Sequence, residues 1–252
     1  MSRAALAAFC AALLLLGGCH RTEADRDRLP TAREFPQAYR PTSKIEDNAI
    51  SSEVQRDSLG EARTVMELAE IKPGMTVADI GAGEGYYTVR LAERVGAKGR
   101  VLAQDINPEA IRRLGLRAER ERLDNVSVVT GAEDDPRLPD NSFDRIFLVH
   151  MYHEVSEPYA FLWRMRPALR PGGRVVVVDV DRPTDLQGIP PSLLCCEFAR
   201  LGFRLDQFVR KPEVTGYYAQ FVVEGDRPAP GEIKPCGGPG KRAEVPNGKD
   251  KF

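Results

Sequence analysis

Short apolar runs alternate along most of the chain with stretches in which apolar residues recur every three or four positions. Ala62, Val65, Met66 and Ala69 fall at helical spacing within 59–71, closed by Pro73-Gly74. A strand is predicted at 75–80, then a helix carrying Val89, Leu91, Ala92 and Val95 before Gly96. The next strand spans 100–106, and Asn107-Pro108 supplies a cap and a first-turn proline for a helix with Ile111, Leu114 and Ala118 on one face. Two further strands are predicted at 126–129 and 144–150. Ser156 is the expected cap of a helix whose stripe is Phe161, Leu162, Met165 and Leu169, ended by Pro171-Gly172-Gly173. Val175-Val176-Val177-Val178 does not alternate, which predicts a strand buried on both faces. A last helix at 193–201 precedes strands at 203–210 and 216–224.

Strands that alternate with helices imply a parallel sheet covered by helices, and the final two strands, with no helix-length connection between them, imply an antiparallel hairpin. The patterned region, 59–226, is expected to be the folded domain. Ahead of it, 19–58 is polar, with Pro30, Pro36 and Pro41, and reads as a tether and an N-terminal arm. Behind it, 227–252 reads as an extended tail.

Residues 1–18 hold one cation, Arg3, then an apolar run from Ala4 to Leu16. At about 1.5 Å per residue the run gives about 20 Å of helix, short of a hydrocarbon core of about 30 Å, so it reads as a secretion signal. Leu16-Gly17-Gly18-Cys19 resembles the lipobox of bacterial lipoproteins, which implies cleavage and acylation at Cys19; the alternative is an ordinary signal with an unmodified thiol. His20 in place of an Asp after that Cys implies, by the same resemblance, the outer membrane, facing the periplasm. In an oxidising compartment Cys195, Cys196 and Cys236 are an odd set. One of the vicinal pair could bridge to Cys236, the pair could hold a soft metalloid, or both could be small core hydrophobes.

Lys plus Arg number 36 against 37 Asp plus Glu, so no overall basic field favours nucleic acid. The chemistry is sought at the first strand-to-helix turn, Asp79-Ile80-Gly81-Ala82-Gly83-Glu84-Gly85-Tyr86. A glycine loop beyond the carboxyl end of a strand is where open α/β sheets bind nucleotides. A dinucleotide fingerprint would need Gly at 86, where Tyr stands. Asp105, 24 residues after Gly81, ends the second strand, where an acid can accept two ribose hydroxyls.

The spacing Asp-x-Gly-x-Gly-x-Gly resembles motif I of class I S-adenosylmethionine-dependent methyltransferases, and Pro139-Asp140-Asn141-Ser142-Phe143-Asp144 resembles the phrase before strand four in quinone-biosynthesis methyltransferases. The resemblance implies a Rossmann-like, seven-stranded α/β fold, S-adenosylmethionine as cofactor, and a small-molecule methyl acceptor. Its expected cofactor residues are Asp79, Gly81, Gly83, Gly85, Tyr86, Asp105 and Ile106. Relatives place an acid directly after the glycine that ends strand three; here Ala132 stands there, and Glu133 or Asp134 is the expected substitute for the adenine contact. The signal together with Val149-His150-Met151-Tyr152-His153-Glu154 resembles a group of periplasmic bacterial methyltransferases.

His150 and His153 lie at the carboxyl end of strand four, the edge that would face the reacting methyl group. Either could take a proton from the acceptor, with Glu154 orienting a ring and Tyr152 lining the pocket. No third ligand accompanies them, so no metal is expected.

Overall fold

A computed structural model describes residues 27–43 and 53–237. The expected leader, Cys19 and His20 lie outside the described residues. Two helices, α1 (Glu53–Leu59) and α2 (Glu61–Leu68), precede the first strand; then follow β1 (Thr76–Ile80), α3 (Tyr86–Val95), β2 (Arg100–Asp105), α4 (Pro108–Arg120), β3 (Val126–Thr130) and β4 (Phe143–Val149). The chain continues through α5 (Pro158–Met165), β5 (Leu169–Asp179), α6 (Pro191–Arg200), β6 (Phe203–Val209) and β7 (Tyr217–Val223). The sheet order is β3-β2-β1-β4-β5-β7-β6. The first five strands are parallel, and β7 and β6 close the sheet antiparallel, as the seven-stranded reading requires.

The valine run shows why the sheet is covered on both sides. Val175 to Val178 are all fully buried, but Val175 and Val177 join one core with α5 and α6, while Val176 and Val178 join another with α2 and α3. Successive side chains of a strand point to opposite faces, so an unbroken apolar run is stable only between two helical layers. Because β1 lies between β2 and β4, the connections leave it in opposite directions and a crevice opens at the carboxyl ends of these strands.

Three local expectations change. The helix expected at 59–71 is divided at Gly60, whose φ of +74° is left-handed, and α1 extends back into the segment read as tether. No residue of α1 is buried. It is held by charge instead, Glu53 to Arg117 and Asp57 to Arg90, and so leaves no apolar period. Ser156 does not cap α5: the N-cap residue is Glu157, and the Ser156 hydroxyl donates to Glu133 at 3.1 Å. Asn107 does cap α4, its side-chain oxygen accepting from the Glu109 and Ala110 amides.

The described parts of the flanking segments, 27–43 and 227–237, are docked on the domain. Phe35 is buried against Trp163, Arg28 donates twice to Glu157, and Arg40 pairs with Glu197. At the other end Cys196 and Cys236 form a disulfide, the Cys236 amide donates to the Tyr159 hydroxyl, and Cys195 keeps a free thiol that burial pushes up to about 11. Among the described residues no helix is long and apolar enough to cross a membrane.

Candidate functional site

The crevice is a cleft of about 840 Å³ between the glycine loop, the end of β2 and the segment after β4. That volume lies within the range of pockets that enclose drug-sized ligands. One wall is the loop from Gly81 to Gly85. Gly81 (φ +67°) passes so close to Met151 that a Cβ would stand 2.9 Å from that side chain. Gly83 (φ +53°) differs, since a Cβ there would meet nothing within 4 Å. The main chain at Gly83 is therefore open to close approach by a ligand. Gly85 faces away from the cleft, against Leu114.

Asp105 is fixed by the two turns it joins. One carboxylate oxygen accepts from the Gly83 amide and the other from the Asn107 amide, each at 2.9 Å. Each oxygen keeps a lone pair for a ligand diol, and Ile106 lines the same wall. Asp79 lies one layer deeper than expected. It is buried, accepts from the Thr88 hydroxyl at 2.6 Å, and does not line the cleft; burial pushes its carboxyl up to about 6. Tyr86 does line the cleft, its ring held between the guanidinium groups of Arg56 and Arg90 and its hydroxyl donating to Asp57.

Of the two acids after Ala132, Glu133 faces the cleft and Asp134 does not. Asp134 is buried, accepting from Thr31 and pairing with Arg164 at 2.6 Å, so its role is to fasten the N-terminal segment to α5.

The two histidines have opposite surroundings. His150 lies in the cleft wall with φ +53°, its Nε2 3.5 Å from Glu61 and its Nδ1 buried without a hydrogen-bond partner. Glu61 also accepts from Arg56 and Tyr87. Burial works against its charge, but His150 and Arg56 outweigh it and bring the carboxyl down to about 2. His153 is buried behind the wall, its Nδ1 3.0 Å from both oxygens of Asp179, at the end of β5. Burial disfavours the imidazolium, yet the hydrogen bond and charge of Asp179 prevail and raise the ring above its ordinary value. Glu154, expected behind the ring, instead lines the cleft, where burial and the charges of Asp105 and Asp179 push its carboxyl up to about 7. Tyr152 is not a pocket residue; it is buried, and its hydroxyl donates to Glu197 at 2.8 Å.

Sequence reasoning missed Arg56, Glu61, Thr42, Ser43 and Asp179. The first two sit on or beside the helix that shows no period, and Thr42 and Ser43 belong to a segment that carries no pattern. Asp179 had a signal, because an acid at the carboxyl end of a strand beside the crevice is the rule that selected Asp105.

Residues 71–205 match the protein family described as Methyltransferase domain. The ubiquinone/menaquinone biosynthesis C-methyltransferase UbiE of Shewanella sp. (strain ANA-3) is 33% identical over 123 residues, covering 48% of this chain and 49% of that protein. The chain thus spans about half the length of the curated relatives it matches. A SAM-dependent methyltransferase from Aquifex aeolicus superposes with TM-score 0.58 at 25% identity, over 68% of this chain and 97% of that one. The [4+2]-cyclase SpnF, at 21% identity, shares the fold alone, with TM-score 0.55 over 71% of this chain and 68% of its own. With the strand order, the open main chain at Gly83 and the fixed carboxylate of Asp105 in agreement, the chain belongs to the methyltransferase-domain family, on the class I fold whose cofactor is S-adenosylmethionine.

Proposed function

We propose that the protein transfers a methyl group from S-adenosylmethionine to a small molecule bound in this cleft. The observation that carries the reading is the pairing of Gly83, where a side chain would enter open space, with Asp105, hydrogen-bonded to the Gly83 amide. These residues fit the cofactor: Asp105 would hold the ribose diol, Gly81 and Gly83 the main-chain approach, and Glu133 with Ile106 the adenine side. Arg56, between Tyr86 and Glu61, is placed for the carboxylate of the amino-acid part. When bound, the cofactor supplies an electrophilic methyl on sulfur. The protein's own part is to place the acceptor in line, keep water out and receive the acceptor's proton.

The acceptor side is lined by Thr42, Ser43, His150, Glu154, Ser156 and Gln187. The two arginines of the cleft stand elsewhere, Arg56 over Tyr86 and Arg113 paired with Glu84. A neutral or cationic acceptor, with no phosphate or carboxylate, suits that lining. C-methylation belongs to the named UbiE relatives, so phenolic carbon is one acceptor to test beside oxygen and nitrogen. We also place the mature chain at the outer membrane, facing the periplasm and anchored through lipid on Cys19. The Cys196–Cys236 disulfide supports an oxidising compartment, to which cytoplasmic cofactor would have to be exported.

The test is calorimetric titration of the full chain with S-adenosylmethionine and S-adenosylhomocysteine, beside Asp105→Ala, followed by labelled methyl transfer to hydroquinone, catechol and benzylamine. Micromolar binding that weakens about 100-fold in Asp105→Ala is expected, the loss of charge-assisted hydrogen bonds worth about 1.5–3 kcal/mol each. Folded protein that binds neither compound overturns the reading, and binding without transfer to any acceptor turns it toward a ligand-binding lipoprotein. Loss of membrane fractionation in Cys19→Ala is the expected result for the anchor; unchanged fractionation removes it.

A further inference from the structure

The acceptor side contains a three-member chain running from the cleft to the core: Glu154, His153 and Asp179. Asp179 is fully buried, and besides His153 it accepts from the Val180 amide at 2.8 Å. Both its oxygens lie 3.0 Å from Nδ1 of His153, whose Nε2 is buried without a hydrogen-bond partner, 3.9 Å from Glu154 Oε1. His153 is held from the opposite side as well, because Arg40 donates to its carbonyl oxygen at 3.2 Å while pairing with Glu197. Glu154 alone of the three reaches the cleft, its side chain 22% exposed.

His150 is poorly placed for proton transfer by comparison. One ring nitrogen is turned to Glu61 and the other is buried. A group that takes a proton from a bound acceptor must present a lone pair within about 3 Å of it, or reach it through one water. After β4 the carboxylate of Glu154 lines the cleft, where it can meet that condition for an acceptor bound there.

We propose that Glu154 is the proton acceptor of the methyl-transfer reaction, and that His153, oriented by Asp179, is a positioning residue that sets when Glu154 is ionised. The inference rests on the methyltransferase reading above and names the groups that serve it. As the acceptor oxygen or nitrogen forms its bond to the methyl carbon, the carbon–sulfur bond breaks and its electron pair stays on sulfur. The acceptor's O–H or N–H proton passes to Glu154 and from there to solvent through the open cleft. The groups facing Glu154 fit this task. Burial, Asp105 from β2 and Asp179 from β5 favour its protonated form, while His153 opposes them, which leaves the carboxyl at about 7. Proton transfer is most effective from a group poised near working pH. His150 is the remaining titratable group on the acceptor side of the same cleft, and Glu133 stands on its adenine side.

The test reads the coupling first and the chemistry second, so that the two readings fail separately. In the full chain, the Glu154 carboxyl carbon and the His153 ring nitrogens are followed by NMR across pH, in wild type, Glu154→Gln and His153→Gln. A Glu154 midpoint near 7 that rises by about one unit in His153→Gln is expected, as for two interacting sites. Reciprocally, the His153 midpoint should fall in Glu154→Gln, a near-isosteric change at a partly exposed side chain that spares the fold. An unmoved Glu154 midpoint in His153→Gln, or an unmoved His153 midpoint in Glu154→Gln should the first variant fail to fold, overturns the positioning role. With whichever of the three acceptors is methylated, Glu154→Gln should lower turnover about 100-fold or more and abolish its rising pH limb, while cofactor affinity stays within about threefold of wild type. Wild-type turnover in Glu154→Gln removes it as the proton acceptor. Failure of S-adenosylmethionine to bind would sink the function while leaving the measured coupling intact.

Discussion

The two sides of the cleft are built in different ways. On the cofactor side, Gly81, Gly83 and Asp105 lie within 24 residues of one another, and backbone amides do the fixing: Gly83 and Asn107 each donate to Asp105. On the acceptor side the wall runs from Thr42 to Gln187 and is held by side chains far apart in sequence. Arg40 reaches Glu197, His153 reaches Asp179, and Cys196 reaches Cys236. A site of the first kind is specified by a short phrase and one strand length. A site of the second kind exists only after the whole chain has folded, and its buried ion pairs join distant segments. The acceptor side should therefore be the fragile one, while cofactor binding survives many of the changes that damage it.

The largest effect should come from separating Arg40 and Glu197. Both side chains are almost wholly buried, and the pair also engages the Tyr152 hydroxyl and the carbonyls of His153 and Val155. Removing one member leaves an uncompensated charge, so Glu197→Ala should cost about 3–5 kcal/mol and lower Tm by roughly 10 °C in denaturant and thermal unfolding. Cofactor affinity measured at low temperature should change little; a loss as large as that in Asp105→Ala would mean that the two sides fold as one unit. Next comes the disulfide. With a sequence separation of 40, chain-entropy loss in the unfolded state is worth up to about 4 kcal/mol, so Cys236→Ser should lower stability by about 2–4 kcal/mol. A variant as stable as wild type would show that the tail is held by its other contacts, Ile233 in the core and the Cys236 amide on Tyr159.

Two buried carboxylates beside the cleft respond to acid with opposite sign. Glu61, beside His150, is ionised more readily in the folded chain, with its carboxyl at about 2 against 4.5. Its contribution, about 3 kcal/mol, is fully present above pH 4.5 and is lost as pH falls toward 2. Asp79, beneath the glycine loop, holds its proton more tightly when folded, at about 6 against 3.8. Its contribution, also about 3 kcal/mol, is fully present below 3.8 and is lost as pH rises through 6. Stability measured against pH should fall on both limbs, with Glu61→Gln flattening the acid one and Asp79→Asn the neutral one. If both variants flatten the same limb, the opposite shifts of Glu61 and Asp79 are wrong.

The same contrast explains what the sequence could reveal. Strand and helix periods, the buried valine run, the Asn107 cap and the closing hairpin are all local, and they sufficed for the seven-stranded fold. That Gly81, Gly83, Tyr86, Asp105, Ile106 and Glu133 would gather at one cleft was legible because the glycine loop and the following strand ends occur in fixed order. Asp79 and Gly85 belong to the phrase yet face inward, a difference that depends on Thr88 and Leu114, which spacing does not reveal. Arg56 was hidden because α1 is held by ions and buries nothing of its own, and Glu61 because the period of α2 marks its apolar residues and not a buried acid. At the end of β4 the residue types were legible but their directions were not. A 3₁₀ turn at Tyr152–Glu154 turns Tyr152 and His153 inward and leaves Glu154 in the cleft wall.

The smallest effect sharpens the contrast at one hydroxyl. In the sequence, Ser156 reads as a helix cap, a role whose removal costs about 1 kcal/mol. In the structure α5 has no side-chain cap, and its first position is Pro158, which has no N–H to satisfy. The Ser156 hydroxyl donates instead to Glu133, an exposed bond between the two sides of the cleft. Ser156→Ala should therefore cost less than about 0.5 kcal/mol in denaturant unfolding, as for surface substitutions that disturb no cap. Any effect should appear in cofactor affinity, because Glu133 loses the donor that orients it toward the adenine side. A stability loss near 1 kcal/mol with unchanged affinity would return Ser156 to the helix and leave Glu133 positioned by the cofactor side alone.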